Sequence, residues 1–318
     1  MKALATIDTS AVAKVEFFGD SVIDEFIASR HASDNTNRTY KNALNQLIKF
    51  FAANNITVPS EANIDSFVNM LKAHKSPSTI RLYTTVTKAF FSFTARRGYF
   101  ANVAADVVLK LRKTTTHSKR ALSTEQAQKL LASVKGDDML SRRDRAVIAL
   151  CLTAGLRCCE VSRANVGNLR ADGVGGYFLA VTGKGRIQAD AVVRVAPTVA
   201  KLLDEYLSLR GEVEEDAPLF LSESNSNRGE RLSVQSVQKM IRRRMKTIGV
   251  YAKGVISPHS TRHFCATQAI RAGVDIREVS AMLRHSNLTV TTVYLHDLSV
   301  ETRTAEMRVA DSLFGGAA

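Results

Sequence analysis

Six side chains in the second half of the chain have the types and the order needed for chemistry on a phosphodiester. Arg157 stands in Ala154-Gly-Leu-Arg-Cys-Cys-Glu-Val161 and Lys184 in Thr182-Gly-Lys-Gly185. His259 and Arg262 share His259-Ser-Thr-Arg-His263, His285 closes Leu283-Arg-His285, and Tyr294 ends Asn287-Leu-Thr-Val-Thr-Thr-Val-Tyr294. A phosphodiester is an anion that becomes more negative in its transition state. Guanidinium forks match non-bridging phosphate oxygens and stay charged at any working pH, so Arg157 and Arg262 suit a clamp. A leaving alkoxide needs a proton, which a lysine on a hairpin tip can supply. Histidines orient and exchange protons near neutral pH. A tyrosine whose proton is removed is a competent nucleophile.

Each residue also has a plainer reading. Taken alone, Tyr294 is a packing residue, Arg157 a buried structural arginine, and Thr-Gly-Lys-Gly-Arg a generic basic hairpin. Gly183 and Gly185 invite a phosphate loop, but the Walker spacing is absent. His259 and His263 have helix-face spacing for a metal. Ser-Thr-Arg separates them with no intervening glutamate, and Arg262 would repel a divalent cation, so no metal site is expected and His263 reads as a packing or supporting residue. Cys151, Cys158, Cys159 and Cys265 make no CxxC pair and no disulfide ladder, and read as small reduced side chains. Cys158 and Cys159 sit beside Arg157, where oxidation is the less favoured alternative.

These side chains need a scaffold. From Asp20 to Arg97 the apolar residues recur every three or four positions: Val22, Ile23, Phe26 and Ile27, then Tyr40, Leu44, Leu47, Ile48 and Phe51, then Ile64, Phe67, Val68 and Leu71. Pro77 opens a fourth helix carrying Ile80, Tyr83, Val86, Phe90 and Phe93, with breaks at Asn54–Asn55 and His74–Ser76. Leu111 to Arg120 is polar, basic and aperiodic, a linker. Ser123-Thr-Glu-Gln is a helix start. Helices fit 124–134 and 141–154, and strands fit Asn165 to Leu169, Tyr177 to Val181 and Ala191 to Val195. Further helices fit 197–210, 233–248, 260–272 and 275–283. The fold class is mainly α with a small antiparallel β-sheet: a four-helix lobe over 1–110, the linker 111–120, and an α+β catalytic domain over 121–318.

Charge names the class of partner. The net charge is +14, and both residues 1–120 and the remainder carry an excess of Lys and Arg. Two basic lobes suit a protein that grips a polyanion from two sides. In the first lobe Arg38, Lys41, Lys72, Arg81 and Lys88, set among Ser, Thr and Asn, are candidate phosphate contacts. In the second, Arg242, Arg243 and Arg244 are candidates to face DNA, and Arg284 adds a charge beside the site and is a further candidate DNA contact. The longest apolar run, Ala146 to Leu156, is too short to cross a bilayer, and the N-terminal stretch makes a poor signal peptide. A cytoplasmic protein with no membrane contact is expected.

At these residues the chain resembles the tyrosine recombinases, also called the phage integrase family, which carry Arg, Lys, His-x-x-Arg, His or Trp, and Tyr in that order. The match falls on Arg157, Lys184, His259, Arg262, His285 and Tyr294, and the gap of nine residues from His285 to Tyr294 is similar to the family's. The N-terminal lobe resembles the family's core-binding (SAM-like) domain. Too few residues precede Asp20 for a further arm-binding domain, so the likeness is to the compact two-domain Xer/integrase-like form. Two departures stand out: the usual Leu-Gly-His is Leu283-Arg284-His285, and Cys158–Cys159 replace small or aliphatic residues.

The resemblance implies a C-shaped DNA clamp that performs site-specific recombination in a homotetramer on two double-stranded sites, through a Holliday junction. Tyr294 would form a 3′-phosphotyrosyl link, Arg157 and Arg262 would hold the phosphate, and Lys184 would protonate the 5′-oxygen. His259 would assist proton transfer, His285 would hydrogen-bond the phosphate, and Glu160 would support the site. Neither a metal nor another cofactor is implied. The tail from Val300 to Leu313 would dock into a neighbouring protomer, and the protein would be nucleoid-associated. A partner recombinase or accessory protein stays open, as do the target site and the biological role. Three alternatives remain: a type IB-like topoisomerase, separated only by assembly and strand exchange; a non-catalytic DNA-binding regulator, disfavoured by the intact set of six; and a metallohydrolase, separated by sensitivity to chelators.

Overall fold

The computed structural model describes residues 20–106, 120–183, 185–186, 188–285 and 287–292, apart from the side chains of Asp20, Thr289 and Val290. The chain divides into two compact units, Met1–Thr115 and Thr116–Ala318. The expected linker straddles this division. Of its residues only Arg120 is described, and its N–H donates to the Val255 carbonyl (3.0 Å), inside the second unit.

The first unit contains helices α1 (Asp20–Ser29), α2 (Asp34–Ala53), α3 (Glu61–His74) and α4 (Pro77–Arg96). Each starts and stops for a local reason. Ser60 and Asn63 cap α3 reciprocally, and Pro77 with the Ser76 hydroxyl opens α4. Asn54 ends α2, and Asn55 takes a φ of 51°, a conformation that asparagine tolerates better than most residues. The apolar stripes meet in one core of Val22, Phe26, Leu47, Phe51, Phe67 and Phe90 with their neighbours. Phe26 packs edge-on to Phe90, ring centres 5.5 Å apart. Each buried aromatic contributes roughly 1.5–3 kcal/mol by removal from water.

The second unit is built around α6 (Met139–Thr153), which follows α5 (Thr124–Ala132). Ser123 and Gln126 form the expected reciprocal cap of α5. Helix α6 is buried nearly all round, from Ala146 to Leu152, which accounts for its continuous apolar sequence. A short helix not anticipated from the sequence, α7 (Cys158–Arg163), comes next. The sheet is antiparallel in the order β1 (Leu169–Ala171), β2 (Tyr177–Val181), β3 (Ala191–Val195). Its inward residues are Leu179, Val181, Val193 and Val195. Then follow α8 (Pro197–Leu207), α9 (Val234–Thr247), α10 (Ser260–Arg271), α11 (Ile276–Met282) and α12 (Thr289–Thr292).

One strand differs from expectation. Residues 165–169 are not the first strand: Val166–Asn168 form a single 3-10 turn, and the strand is Leu169–Ala171. The backbone N–H groups of Val166 and Gly167 donate to the carbonyls of Ala217 (3.0 Å) and Glu215 (2.8 Å), not to a sheet partner. A Cβ on Gly167 would come within 2.8 Å of the Glu215 side chain, so the close approach requires glycine there. Among the described residues no helix is long and apolar enough to cross a membrane.

Candidate active site

Three chain segments far apart in sequence converge in the second unit. The first is the loop between α6 and α7. Gly155 holds φ 60°, and a Cβ there would sit 2.7 Å from a Leu283 methyl and 3.3 Å from the Cys265 sulfur. Glycine therefore lets the loop both turn and press against α10 and the end of α11. Arg157 follows at the N-cap of α7. Its backbone N–H donates to Glu160 Oε2 (2.8 Å) and its Nη1 to Glu160 Oε1 (2.7 Å). Glu160 is wholly buried, whereas the Arg157 side chain is 27% exposed. Arg157 is thus braced from below and open on one side.

The second segment is α10. Arg262 lies in its first turn and is 1% exposed. Its Nη1 donates to the Gly155 carbonyl (2.5 Å) and its Nη2 to the Leu283 carbonyl. The cation is held by main-chain oxygens of the other two segments. His259, at the N-cap, is exposed. The ring of buried His263 meets it edge-on, 5.1 Å between centres.

The third segment is the turn after α11. Arg284 has φ 56°, the left-handed conformation that costs an L-residue about 1–2 kcal/mol. Its Nη2 donates to Glu160 Oε2 (2.7 Å) and its Nη1 to the Met282 carbonyl (2.6 Å). The Arg284 carbonyl accepts from Arg157 Nη2 (3.2 Å). Burial would raise the Glu160 carboxyl, but the Arg284 guanidinium and then Arg157 outweigh it and hold it below the usual carboxylate range. His285 Nδ1 lies 2.8 Å from the buried Thr291 hydroxyl. Burial, with the charges of Arg262, Arg157, His259 and Arg284, pushes the His285 imidazole down to about 4. It is neutral at neutral pH.

Of the residues singled out in the sequence, Arg157, Glu160, Arg262, Arg284 and His285 are brought together, with His259 and His263 beside them. Lys184 and Tyr294 lie outside the described residues, as does Val300 to Leu313. The root of the hairpin that carries Lys184 is described. Arg163 Nη1 donates to the Gly183 carbonyl (2.6 Å), and the Gly183 N–H donates to Asp190 Oδ1 (2.8 Å). An open cleft there is lined by Arg163, Asn165, Thr182, Arg186 and Arg231. Thr291 and Arg163 were missed from the sequence. Neither is distinguished by spacing, and only the fold shows what they touch.

Two basic candidates turn inward. Arg284, expected beside DNA, spends its guanidinium on Glu160 and carbonyls and is 10% exposed. Arg244 donates to the Ser133 carbonyl (3.1 Å) and lies 3.6 Å from the buried Asp144 carboxylate. That carboxylate also binds Arg143 at 2.6 Å. The next residue, Arg243, is 63% exposed, and Arg242 is half-buried. In the first unit Arg38, Lys41 and Lys72 are exposed, while Arg81 and Lys88 are half-buried. Lys41 pairs with Asp24 (2.7 Å). Among the described residues no three His, Cys, Asp or Glu side chains converge as metal ligands.

This arrangement sets two guanidinium groups on one carboxylate and a third on neighbouring main-chain carbonyls, with a neutral imidazole alongside. It is a preorganised place for an anion that gains charge. Residues 120–300 match the family described as phage integrase family, and residues 21–99 match the phage integrase N-terminal SAM-like domain. The chain is 26% identical over 289 residues to the tyrosine recombinase XerC of Thermodesulfovibrio yellowstonii, covering 88% of this chain and 92% of that one. It is 30% identical over 227 residues to XerC of Corynebacterium glutamicum, covering 70% and 68%. In fold it is similar to the site-specific recombinase XerH, solved as a post-cleavage complex on its palindromic difH substrate: TM-score 0.70, 19% identity, 93% of this chain and 85% of that one. Matched across both of its units, the chain belongs to the phage integrase family and is a tyrosine recombinase, a DNA strand-transferring enzyme.

Proposed function

We propose that this recombinase cuts and rejoins specific double-stranded DNA sites through a 3′-phosphotyrosyl link at Tyr294, and exchanges strands in a homotetramer by way of a Holliday junction. The Tyr294 phenolic oxygen attacks the scissile phosphorus, and the P–O5′ bond breaks. His259 helps take the tyrosine proton, and Lys184 gives a proton to the departing 5′-oxygen. Arg157 and Arg262 meet the non-bridging oxygens, and neutral His285 donates a further hydrogen bond to the phosphate. The 5′-hydroxyl of a partner strand then attacks the phosphotyrosine and releases Tyr294. The bond energy stays in the ester, so the reaction needs no nucleotide and no metal. Arg38, Lys41, Lys72, Arg81, Lys88, Arg242 and Arg243 would contact DNA.

One observation carries this reading: Arg157, Arg262 and His285 come together, the two guanidinium groups anchored on the main-chain carbonyls of Arg284, Gly155 and Leu283, although more than a hundred residues separate Arg157 from the other two. A general nucleic-acid-binding surface needs no such buried, mutually braced cations. Support for the DNA sites comes from the XerH likeness, whose structure contains its own recombination substrate.

The test is covalent trapping on nicked suicide DNA from the region flanking the gene, with chelator and with added metal, for wild type and Tyr294→Phe. An adduct in wild type that is lost in the variant is the expected result. Binding without an adduct would point to a DNA-binding regulator. Cleavage that requires metal would point to a hydrolase. Adducts and relaxation without strand exchange would point to a topoisomerase.

A further inference from the structure

Arg284 is a charged side chain at the heart of the site that the proposed chemistry does not use. It occupies backbone that glycine favours, φ 56°, one residue beyond the C-cap of α11. All three guanidinium nitrogens are engaged inward. Nε and Nη2 donate to Glu160 (3.3 and 2.7 Å), Nη1 to the Met282 carbonyl (2.6 Å), and Nη2 also to the Gly155 carbonyl (3.2 Å). A surface arginine kept for DNA would not be spent in this way. Arg157 is gripped by the same residue twice: directly through the Arg284 carbonyl (3.2 Å), and indirectly through the carboxylate the two guanidinium groups share.

Resting on the proposed function, we infer that Arg284 is a positioning residue for recombination, locking Glu160 and through it the Arg157 guanidinium in the orientation that meets the scissile phosphate. It ties the loop before α7, the Glu160 carboxylate and the turn before His285 into one unit, although they are distant in sequence. Displacing a catalytic fork by even about 1 Å costs roughly a hundredfold in rate. The Arg284 side chain thus acts on the reaction without touching DNA.

The test compares wild type, Arg284→Gly and Arg284→Lys. Arg284→Gly suits the backbone, and circular dichroism checks that each variant is folded. Two quantities are measured on the suicide DNA: single-turnover adduct formation, and equilibrium binding across a salt series. A second DNA carries a neutral methylphosphonate at the scissile position, which removes the charge that Arg157 meets. Arg284→Gly should slow adduct formation about ten- to a hundredfold on the phosphodiester and much less on the methylphosphonate. Affinity and its salt slope should stay unchanged, and Arg284→Lys should recover part of the rate. Equal losses on both substrates would overturn the inference in favour of a general structural role. A salt slope shallower by about one would instead make Arg284 a phosphate contact. An unchanged rate would leave it no role in the reaction. No adduct from wild type would sink the parent reading and this one with it, whereas an adduct from wild type and variant alike would sink only this one.

Discussion

Glu160 is the residue on which the site balances. It is wholly buried and accepts from two arginines. Removing one partner of a buried ion pair strands the other and costs about 3–5 kcal/mol. Glu160→Gln should therefore lower unfolding stability by roughly that amount, read as a shift of the urea midpoint without a change of slope, and should abolish adduct formation. His285 gives a pH signature. Its folded-state value of about 4 lies below its ordinary 6.5, so between these the unfolded chain binds more protons than the folded one, and stability falls as pH drops through that window. Glu160, whose carboxyl is held low, adds a loss only further into acid. Urea midpoints measured from pH 7 to pH 4 should decline in wild type, and the part above about pH 5 should flatten in His285→Asn. The candidate residues were legible from their types and order. The braces were not: nothing in the spacing of Glu160 and Arg284 announces that they meet across 124 residues.

Among the elements, α9 shows how a run of like residues divides its labour. Arg243 is mostly exposed, with only its Nη2 near Asp144 of α6 (3.9 Å), while Arg244 is mostly covered, donates to the Ser133 carbonyl and lies 3.6 Å from the same buried Asp144. Asp144→Ala should destabilise the second unit by about 3–5 kcal/mol, because it uncovers the buried Arg143. Arg243→Ala should change stability by no more than about 0.5 kcal/mol. Thermal or chemical unfolding of the two variants side by side checks the contrast. Three adjacent arginines look alike in sequence, and helical rotation of about a hundred degrees per residue sorts them only once the packed face is known. The same limit explains α7 and the displaced first strand. Six residues without a full apolar stripe leave no periodic signal, and residues 166–168 follow their hydrogen bonds to Glu215 and Ala217, which are far off in sequence. The long helix α4, opened by Pro77, was readable almost to the residue, and for α2 the stripe and its end at Asn54 were readable but its start at Asp34 was not.

For the whole molecule, the charge of +14 sets how it meets DNA. Binding that releases counterions weakens steeply with salt, with a slope near 0.9 per phosphate contact. Affinity measured from about 50 to 200 mM salt should fall by orders of magnitude. Arg243→Ala should make that slope shallower by about one and Arg244→Ala should leave it unaltered, since Arg243 is mostly exposed and Arg244 mostly covered. Both compact units are matched by domains of the same family. Composition had already indicated a polyanion for both, since neither half is neutral.

The anchoring of Arg262 has a consequence for how such a site tolerates change. Its guanidinium rests on the carbonyls of Gly155 and Leu283, and a carbonyl is present whatever side chain a residue carries. The position of that charge is therefore written into the path of the backbone, which Gly155 sets, and not into the other side chains nearby. Side chains around it can change and the cation keep its place, as long as the loop keeps its turn. The cation's seat is lost only by rerouting the chain itself.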